Sequence, residues 1–268
     1  MTIDIFSHNA RAWDGAAERR EIWSTPVTDD DIAAARHGDF SVLLTPERPV
    51  PADWFPPMSG LSMLGLASGG GQQGPLFAAA GAHVTIVDAS AGQLALDREV
   101  AERHGLAIDL VRADAADLTM FDDQSFDLIF HPSSNSYIAD IQPVWNEAYR
   151  VLRPGGHLLA GFNNPVIFVF DQDDLDNDIF TVRYSLPHNE LTALPDDQLR
   201  KRIAAGETLE HSHTLEEQIG GQLLAGFEII GLYEDHWDEH PLSRYLPTSI
   251  ATRARKPSAE RNSQVVDR

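Results

Sequence analysis

The sequence predicts an α/β fold in which helices cover both faces of a doubly wound, mostly parallel sheet of seven strands. Two observations predict this fold. Short apolar segments alternate with segments of helical length through residues 61–162, the order that gives parallel strands joined by crossover helices. The apolar segments show little polar–apolar alternation, as expected of strands that are buried on both faces. We therefore expect ligand-binding loops at the carboxyl ends of the strands.

The first half of the sheet begins with the apolar segment LSMLGLA at residues 61–67. A helix is predicted over 75–80, and the segment 83–88, which is rich in β-branched residues, forms the second strand. Ser90 is placed to cap a helix over 91–103, because its hydroxyl can accept a hydrogen bond from a free backbone N–H of the first turn.

The second half continues the alternation and then departs from it near the end of the chain. Helices are predicted over 143–152, which ends at the Pro-Gly-Gly segment 154–156, and over 215–225, which ends at Gly226. The remaining apolar segments predict strands at residues 108–114, 125–130, 157–162, 227–233 and 249–255.

Composition divides the chain into regions. Residues 1–60 are predicted to form an N-terminal helical lid that ends in a proline-rich connector over 45–60. Residues 61–256 form the main domain, and the polar, acidic segment 164–213 is predicted to be a cap insertion within it. Residues 257–268 are polar and are expected to be a flexible tail.

The net charge of −21 argues against a surface that binds nucleic acid or an anionic membrane, because both need basic residues. The chain has no cysteine, which excludes disulfides and thiolate chemistry. No apolar run is long enough to span a membrane, and the N-terminus lacks the pattern of a signal peptide. These features predict a cytoplasmic protein that acts on a small molecule, with an oligomeric state that the sequence leaves open.

The first predicted strand is followed by the glycine-rich segment SGGGQQG at residues 68–74. Glycine permits a tight turn and lets the backbone approach a ligand closely. Gly69, Gly71 and Gly74 fit the pattern G-x-G-x-x-G, and Asp88 ends the second strand, where a carboxylate can accept hydrogen bonds from both hydroxyls of a ribose. This pattern alone is compatible with a dinucleotide site or with another nucleoside site.

Two further features distinguish these alternatives. Asp114 and Ala115 follow the third strand, where a side chain and a backbone N–H can contact an adenine edge, and Arg-Pro-Gly-Gly at 153–156 precedes the fifth strand. In this order, with the glycine loop and Asp88, these residues resemble the class I S-adenosylmethionine-dependent methyltransferases over residues 61–162. The resemblance implies a Rossmann-like fold and S-adenosyl-L-methionine as cofactor.

Sequence segments beyond these motifs are similar to a bacterial subgroup of small-molecule methyltransferases. The segments that carry this similarity are LASGGGQQG, AGFNNP, SHTLEEQIGG and PLSRYLPTSIATRA. A weaker similarity extends to natural-product enzymes of secondary metabolism that methylate indole rings. It implies a methyl acceptor that is small and aromatic or indole-type.

The family resemblance implies a set of cofactor-binding residues, with two departures. Gly65 stands where the family has an acid, and Ala67 stands where it has its first glycine, so that Ser68, Gln72 or Gln73 would replace the missing contact to the cofactor's amino group. The predicted cofactor-binding residues are Ala67, Ser68, Gly69, Gly70, Gly71, Gln72, Asp88, Ala89, Gln93, Asp114, Ala115 and His131.

Methyl transfer from a sulfonium needs no nucleophilic side chain, and a general base is needed only when the acceptor must lose a proton. His131, next to the fourth strand, is the first candidate base; alternatively it only hydrogen-bonds the cofactor or a loop. Tyr137 is a second candidate catalytic residue. The predicted substrate-pocket residues are Trp13, Trp23, Asn135 and Asn163, of which the tryptophans alternatively pack within the lid.

We expect no metal ion. His211 and His213 have the spacing of a ligand pair, but the acidic segment 171–178 does not continue as a calcium-binding loop, because Ile179 and Ser185 stand where glycine and glutamate are required.

Two other functions stay open at this point. A nicotinamide-dependent oxidoreductase would fit the glycine pattern, although the only lysines, Lys201 and Lys256, form no Tyr-x-x-x-Lys pair. A non-catalytic relative that binds the cofactor would fit the departures at Gly65 and Ala67.

Overall fold

The computed structural model describes residues 3–258. Its sheet has seven strands in the order β3-β2-β1-β4-β5-β7-β6, which confirms the predicted fold class. The strands β1–β5 pair in parallel, whereas β7 pairs antiparallel with both β5 and β6. The strands are β1 (Ser62–Leu66), β2 (His83–Asp88), β3 (Ile108–Arg112), β4 (Phe126–His131), β5 (Leu152–Asn163), β6 (Glu228–Asp235) and β7 (Ser249–Arg255).

Helices cover both faces of the sheet. Shorter 3₁₀ turns occur in the connecting segments, including Ile22–Ser24 and Asn135–Tyr137, and a π-helical turn at Glu216–Gly220 precedes the last α-helix. The α-helices are α1 (Ile5–Arg19), α2 (Asp29–Ala35), α3 (Gln73–Ala79), α4 (Ala91–His104), α5 (Gln142–Val151), α6 (Gln172–Asp176), α7 (Glu190–Ala193), α8 (Asp196–Ala205) and α9 (Gly221–Ala225).

The strand β5 is longer than predicted. Its pairing with β4 shifts between Phe126 and Leu128, so the Pro-Gly-Gly segment lies inside the strand as an irregularity and not before it. Gly155 has a φ of +84°, a backbone conformation that residues with a Cβ rarely adopt. The glycine at this point therefore lets the chain turn from α5 into the sheet.

Two apolar cores lie against the sheet. One includes Phe77 of α3 and Phe130 of β4, whose ring centroids are 5.2 Å apart, together with Trp54 of the proline-rich connector. The other includes Trp145 of α5, which is fully buried. Burial of large apolar side chains on both faces fixes the strands, and thereby the positions of the loops at their carboxyl ends.

The N-terminal helix α1 is attached to the main sheet through α4. Asp14 Oδ1 accepts hydrogen bonds from the Ser90 hydroxyl (2.6 Å) and from the Gly92 N–H (2.8 Å). Ser90 in turn accepts a hydrogen bond from the Gln93 N–H (3.0 Å), which confirms it as the cap of α4. A carboxylate at this helix start is also favoured by the helix dipole.

The segment 164–213 contains the short helices α6, α7 and α8 and two isolated β-bridges. Its description as a cap insertion, like the lid at 1–60, stays a prediction. Most of the predicted tail at 257–268 lies outside the described residues. No helix in the described part of the chain is long and apolar enough to cross a membrane.

Candidate active site

A cavity of about 580 Å³ lies at the carboxyl ends of the parallel strands. We call the part formed by residues 67–69, 88–90 and 113–115 the glycine-loop part; these residues follow β1, end or follow β2, and follow β3. The lid part comprises, among others, Trp13, Trp23, Ser133, Tyr137, Asn163, Glu210, Trp237 and His240. The cavity therefore joins three consecutive loops of the sheet to residues from distant parts of the chain.

Asp88 is positioned by the backbone on both sides of it. Its Oδ2 accepts a hydrogen bond from the Gly69 N–H (2.9 Å), and its Oδ1 accepts one from the Ser90 N–H (2.9 Å). Burial raises the pKa of this carboxyl group, and these two hydrogen bonds act in the opposite direction. Each carboxylate oxygen keeps a second lone pair, so Asp88 can accept two hydrogen bonds from neighbouring hydroxyls of a ligand.

The three glycines of the loop, Gly69, Gly70 and Gly71, are required for different structural reasons. A Cβ on Gly69 would lie 2.7 Å from the Cβ of Gln93, so the loop could not pack against α4 with any other residue there. Gly70 and Gly71 have φ values of +117° and +69° and do not line the cavity, contrary to the prediction that they contact the cofactor. They shape the loop, and the Gly71 carbonyl accepts a hydrogen bond from the Val27 N–H (3.0 Å).

Asp97, which the sequence analysis missed, lies fully buried beneath the glycine loop. Its Oδ2 accepts a hydrogen bond from the Gly70 N–H (3.0 Å), and burial raises its pKa to about 8. A signal was available in the sequence. Asp97 stands at helical spacing between Leu94 and Val100 of the buried face of α4, where a charged residue is unusual.

The structure explains the two departures from the family pattern. A Cβ on Gly65 would collide with Ile86 and with the Ser68 hydroxyl, so this site has no room for an acid. Ala67 has a φ of +48°, so this alanine keeps the left-handed backbone for which glycine is favoured. The Ser68 hydroxyl is buried without a hydrogen-bond partner among the described residues. Ser68 lines the cavity, but in this position its hydroxyl faces Gly65 and is enclosed.

Two glutamines connect the glycine-loop part to the N-terminal segment. Gln72 Nε2 donates hydrogen bonds to the carbonyls of Ile22 and Thr25, both at 3.1 Å. Gln93 Nε2 donates to the Ser24 hydroxyl (2.6 Å) and to the Trp13 carbonyl (3.2 Å). Both glutamines also line the cavity, but their amide N–H groups hold the N-terminal segment in place.

The residues predicted to contact an adenine lie together in the glycine-loop part. Asp114 and Ala115 line the cavity, as does Ala89. Asp114 Oδ1 accepts a hydrogen bond from the Ala116 N–H (2.9 Å), and the Ala113 N–H donates to the Asp88 carbonyl (3.2 Å). These bonds hold the loops after β2 and β3 next to each other, as a site for a nucleoside requires.

The position of His131 does not agree with the predicted role as base or cofactor contact. The residue is fully buried, its Nδ1 lies 2.8 Å from the Leu66 carbonyl oxygen, and its Nε2 lies 2.6 Å from Asn135 Oδ1. Burial lowers its pKa, against the effect of the contacts with Leu66 and Asn135. Because neither His131 nor Asn135 lines the cavity, both are corrected to internal residues that hold β1, β4 and the following loop together. Asn135 Nδ2 also donates to Gln218 Oε1 (2.7 Å).

The other predicted pocket residues do line the cavity: Trp13, Trp23, Tyr137 and Asn163. The ring of Trp13 meets that of Tyr137 edge-on, with centroids 5.2 Å apart. Trp23 meets Trp237, which the sequence analysis did not select, at 6.5 Å. Burial raises the pKa of Tyr137 far above its ordinary value, so the phenol keeps its proton and is unsuited to act as a base.

Glu210 is a cavity residue that sequence reasoning missed, although the neighbouring histidines were selected. Burial raises its pKa to about 7. The sequence contains many other acids, and Glu210 differs from them only in its contacts with residues that are distant in the chain. No local sequence signal therefore identifies it. Within the described residues, no group of three or more histidine, cysteine, aspartate or glutamate side chains could hold a metal ion.

The fold and the site together define a class I S-adenosylmethionine-dependent methyltransferase, and the chain belongs to that family. Residues 64–160 match the family model of the methyltransferase domain. The chain is 45% identical to the uncharacterized methyltransferase YbaJ of Bacillus subtilis, over 94% of this chain and 98% of that protein. These findings set aside the nicotinamide-dependent oxidoreductase.

A more distant relative and a solved structure are also methyltransferases. A demethylmenaquinone methyltransferase of Clavibacter sepedonicus is 35% identical over 41% of this chain and 45% of that protein. A solved S-adenosylmethionine-dependent methyltransferase from Mesorhizobium loti superimposes with a TM-score of 0.56 at 21% identity, over 76% of this chain and 94% of that structure. At this identity the structural match shows the shared fold.

Proposed function

We propose that the protein transfers a methyl group from S-adenosyl-L-methionine to a small aromatic acceptor, such as an indole-type natural product. The observation that carries this proposal is a continuous cavity that places the Asp88 carboxylate and the aromatic lid residues on its walls. The proposal includes a cytoplasmic role in secondary metabolism, which the cysteine-free composition suits because the chain needs no oxidising compartment.

The residues of the glycine-loop part fit the cofactor. Asp88 would accept hydrogen bonds from its ribose hydroxyls, and Asp114 with Ala115 would contact its adenine. The glycine loop leaves room for the chain that carries the sulfur, and the unpaired Ser68 hydroxyl would bind the cofactor's amino-acid part after a rotation of its side chain. When bound, the cofactor supplies a methyl group on a positively charged sulfur that leaves as a neutral thioether.

The residues of the lid part suit a flat acceptor. Trp13, Trp23, Trp237 and Tyr137 supply aromatic walls, and Ser133 with Asn163 supplies polar groups that can orient the acceptor. Rings of this kind exclude water and also favour a positive charge near their faces. Holding the acceptor in line with the methyl group lowers the barrier chiefly by orientation, which can contribute several kcal/mol.

The test begins with binding of S-adenosylhomocysteine, measured by calorimetry. We expect saturable binding by the wild type and a loss of affinity on the order of 100-fold or more in Asp88→Asn, because hydrogen bonds to a charged carboxylate are lost. Asp109→Asn is the matched control, since Asp109 is an exposed carboxylate on β3. Equal affinities in the three proteins would contradict the assigned cofactor site.

The acceptor is tested separately. Radiolabelled S-adenosylmethionine is incubated with the wild type and a panel of indoles, phenols and aliphatic amines, and product formation is measured. We expect label to be transferred to members of the aromatic set. Transfer restricted to the aliphatic amines would contradict the aromatic acceptor while leaving the methyltransferase assignment intact.

A further inference from the structure

Glu210 lines the lid part of the cavity, and its carboxyl group acts electrostatically on Tyr137, another residue of that wall. Within the described residues, its oxygens accept no hydrogen bond and form no ion pair. Its backbone is held instead. The Glu210 N–H donates to Glu190 Oε2 (2.9 Å), and the Glu210 carbonyl accepts from the Glu190 N–H (3.2 Å). A half-buried carboxylate with a fixed backbone and free oxygens is available to a ligand.

The residues on either side of Glu210 are fixed as well. The Leu209 N–H donates to Asn9 Oδ1 (2.8 Å), and Asn9 Nδ2 donates back to the Leu209 carbonyl (2.9 Å). The His211 N–H donates to the Ser136 carbonyl (2.8 Å). Helix α1, the loop after β4 and the segment 207–212 therefore meet at this point, and they hold Glu210 in one position next to Tyr137.

The charges around Glu210 leave it poised to exchange a proton. Burial raises its pKa to about 7, the negative charge of Glu190 acts in the same direction, and Arg202 acts against both. Arg202 is itself 3.3 Å from Glu190 Oε1, so its positive charge acts on Glu190 as well as on Glu210. The charge of Glu210 in turn helps to raise the pKa of Tyr137. A general base works best when its pKa lies near the working pH.

We propose that Glu210 is the general base of the methyl transfer, and that the acceptor carries a weakly acidic hydrogen, as in a phenol, an enol or an indole ring. This inference rests on the proposed function. The acceptor atom forms a bond to the methyl carbon, the methyl–sulfur bond breaks, and its electron pair stays on sulfur. The acceptor's proton passes to the Glu210 carboxylate, which releases it to solvent after the product leaves.

Glu210 is better placed for this role than Asp88, His131 and Tyr137. Asp88 lies in the glycine-loop part, where it is assigned to the ribose of the cofactor, and His131 is enclosed behind the cavity wall. Tyr137 keeps its proton, so it can donate a hydrogen bond to the acceptor but cannot remove a proton from it.

The first test titrates the carboxyl group directly and needs no acceptor. The protein is labelled with carbon-13 at the glutamate carboxyl groups, and its spectrum is followed with pH. We expect one carboxyl resonance to titrate with a midpoint between about pH 6 and pH 8. This resonance is absent from Glu210→Gln and present in Glu216→Gln, in which an exposed carboxylate is changed. A midpoint below about pH 5 overturns the proposal, because that is the ordinary range of a glutamate.

The second test compares two acceptors that differ in acidity, phenol and 4-nitrophenol. We expect Glu210→Gln to lower turnover of phenol by roughly 100-fold to 10,000-fold, the usual effect of losing a general base. The defect is smaller for 4-nitrophenol, which is far more acidic than phenol and already partly ionised at neutral pH, so its methylation depends less on a base. Glu210→Asp retains part of the phenol activity. A residue that only supported the structure would lower turnover of both acceptors equally, and that result overturns the proposal.

Calorimetry with S-adenosylhomocysteine separates the two hypotheses. We expect Glu210→Gln to bind it as the wild type does, because Glu210 lies in the lid part of the cavity. Failure of the wild type to bind contradicts the proposed function itself. If neither phenol is methylated, the carboxyl titration decides: a midpoint near neutrality supports Glu210 and an ordinary midpoint excludes it.

Discussion

The two parts of the cavity are built in different ways. The glycine-loop part comes from three consecutive loops within residues 67–115, each placed by a strand of the parallel sheet. The lid part combines α1, the loop after β4 and the segment that contains Glu210, which are more than a hundred residues apart at the extremes. The first part is therefore determined by local sequence and the sheet, whereas the second exists only after distant segments have packed.

An acid with a raised pKa lies beneath the glycine loop and another lies in the lid part, and the two acids differ in exposure. Asp97 lies under the glycine loop, does not line the cavity, and holds the Gly70 N–H. Glu210 lines the cavity and has free oxygens. Burial acts on both pKa values in the same direction, so the raised pKa alone does not identify a catalytic group. What distinguishes the two is exposure to the cavity: Asp97 has a structural position, whereas Glu210 can contact a ligand.

The largest effect is expected for Asp97→Asn in urea unfolding at a series of pH values. Because the pKa of Asp97 is about 8 in the folded protein and about 4 in an unfolded chain, the folded state binds more protons between these values. The free energy of unfolding of the wild type therefore falls as the pH rises through this range. Asp97→Asn removes this contribution, which for one group is at most about 1.4 kcal/mol per pH unit.

The two proteins should thus be similarly stable near pH 4, and the variant should be the more stable one by several kcal/mol above about pH 8. Glu102→Gln on the same helix is the control; its carboxylate is exposed, so the slope should stay that of the wild type. Parallel curves for the wild type and Asp97→Asn would contradict a structural, proton-linked role for Asp97.

Features set by neighbouring residues could be predicted from the sequence. The bounds of β2 and β7 and the cap at Ser90 agree with the prediction, because they depend on short apolar segments and on one hydroxyl beside a helix start. Asp88 lines the cavity as expected, since it ends a strand whose position in the sheet follows from the alternation of strands and helices.

His131 shows where such reasoning fails. The sequence places it at the end of β4, but both faces of this strand are buried, so apolar patterning gives no indication of where the side chain points. The ring lies against the Leu66 carbonyl and Asn135, away from the cavity. Glu210 was missed because its position depends on distant residues and not on its own strand or helix. Its position depends on hydrogen bonds of its neighbours to Asn9 and Ser136, and no local pattern encodes these contacts.

A second effect is expected in the lid part, for Asn9→Ala. Asn9 is buried and makes three hydrogen bonds to the backbone of Tyr137 and Leu209, at 2.8 to 3.1 Å. Their loss leaves buried backbone groups unpaired, so we expect the free energy of unfolding to fall by about 3 kcal/mol. Hydrogen exchange should increase in residues 207–212, which these bonds hold.

The affinity for S-adenosylhomocysteine shows whether a change in the lid part affects the glycine-loop part. Asn9→Ala should leave its affinity close to that of the wild type once the protein is folded, because the glycine-loop part is intact. Asn146→Ala, at an exposed position on α5, is the control for loss of an asparagine side chain and should change neither property. A large loss of affinity in Asn9→Ala would mean that the two parts do not form independently.

The smallest effect is expected for Ala67→Gly, at the start of the glycine loop. With a φ of +48°, Ala67 holds a left-handed backbone that costs an alanine about 1 kcal/mol. Glycine removes this strain but gives the unfolded chain more freedom, which offsets about 0.4 to 1 kcal/mol. Unfolding should therefore show a stability equal to the wild type or higher by about 0.5 kcal/mol. Ala89→Gly, in the loop after β2, has no such strain to relieve and should be less stable than the wild type. Equal destabilisation by the two substitutions would contradict the strained conformation, and with it the inference that Ala67 holds a left-handed backbone for which glycine is favoured.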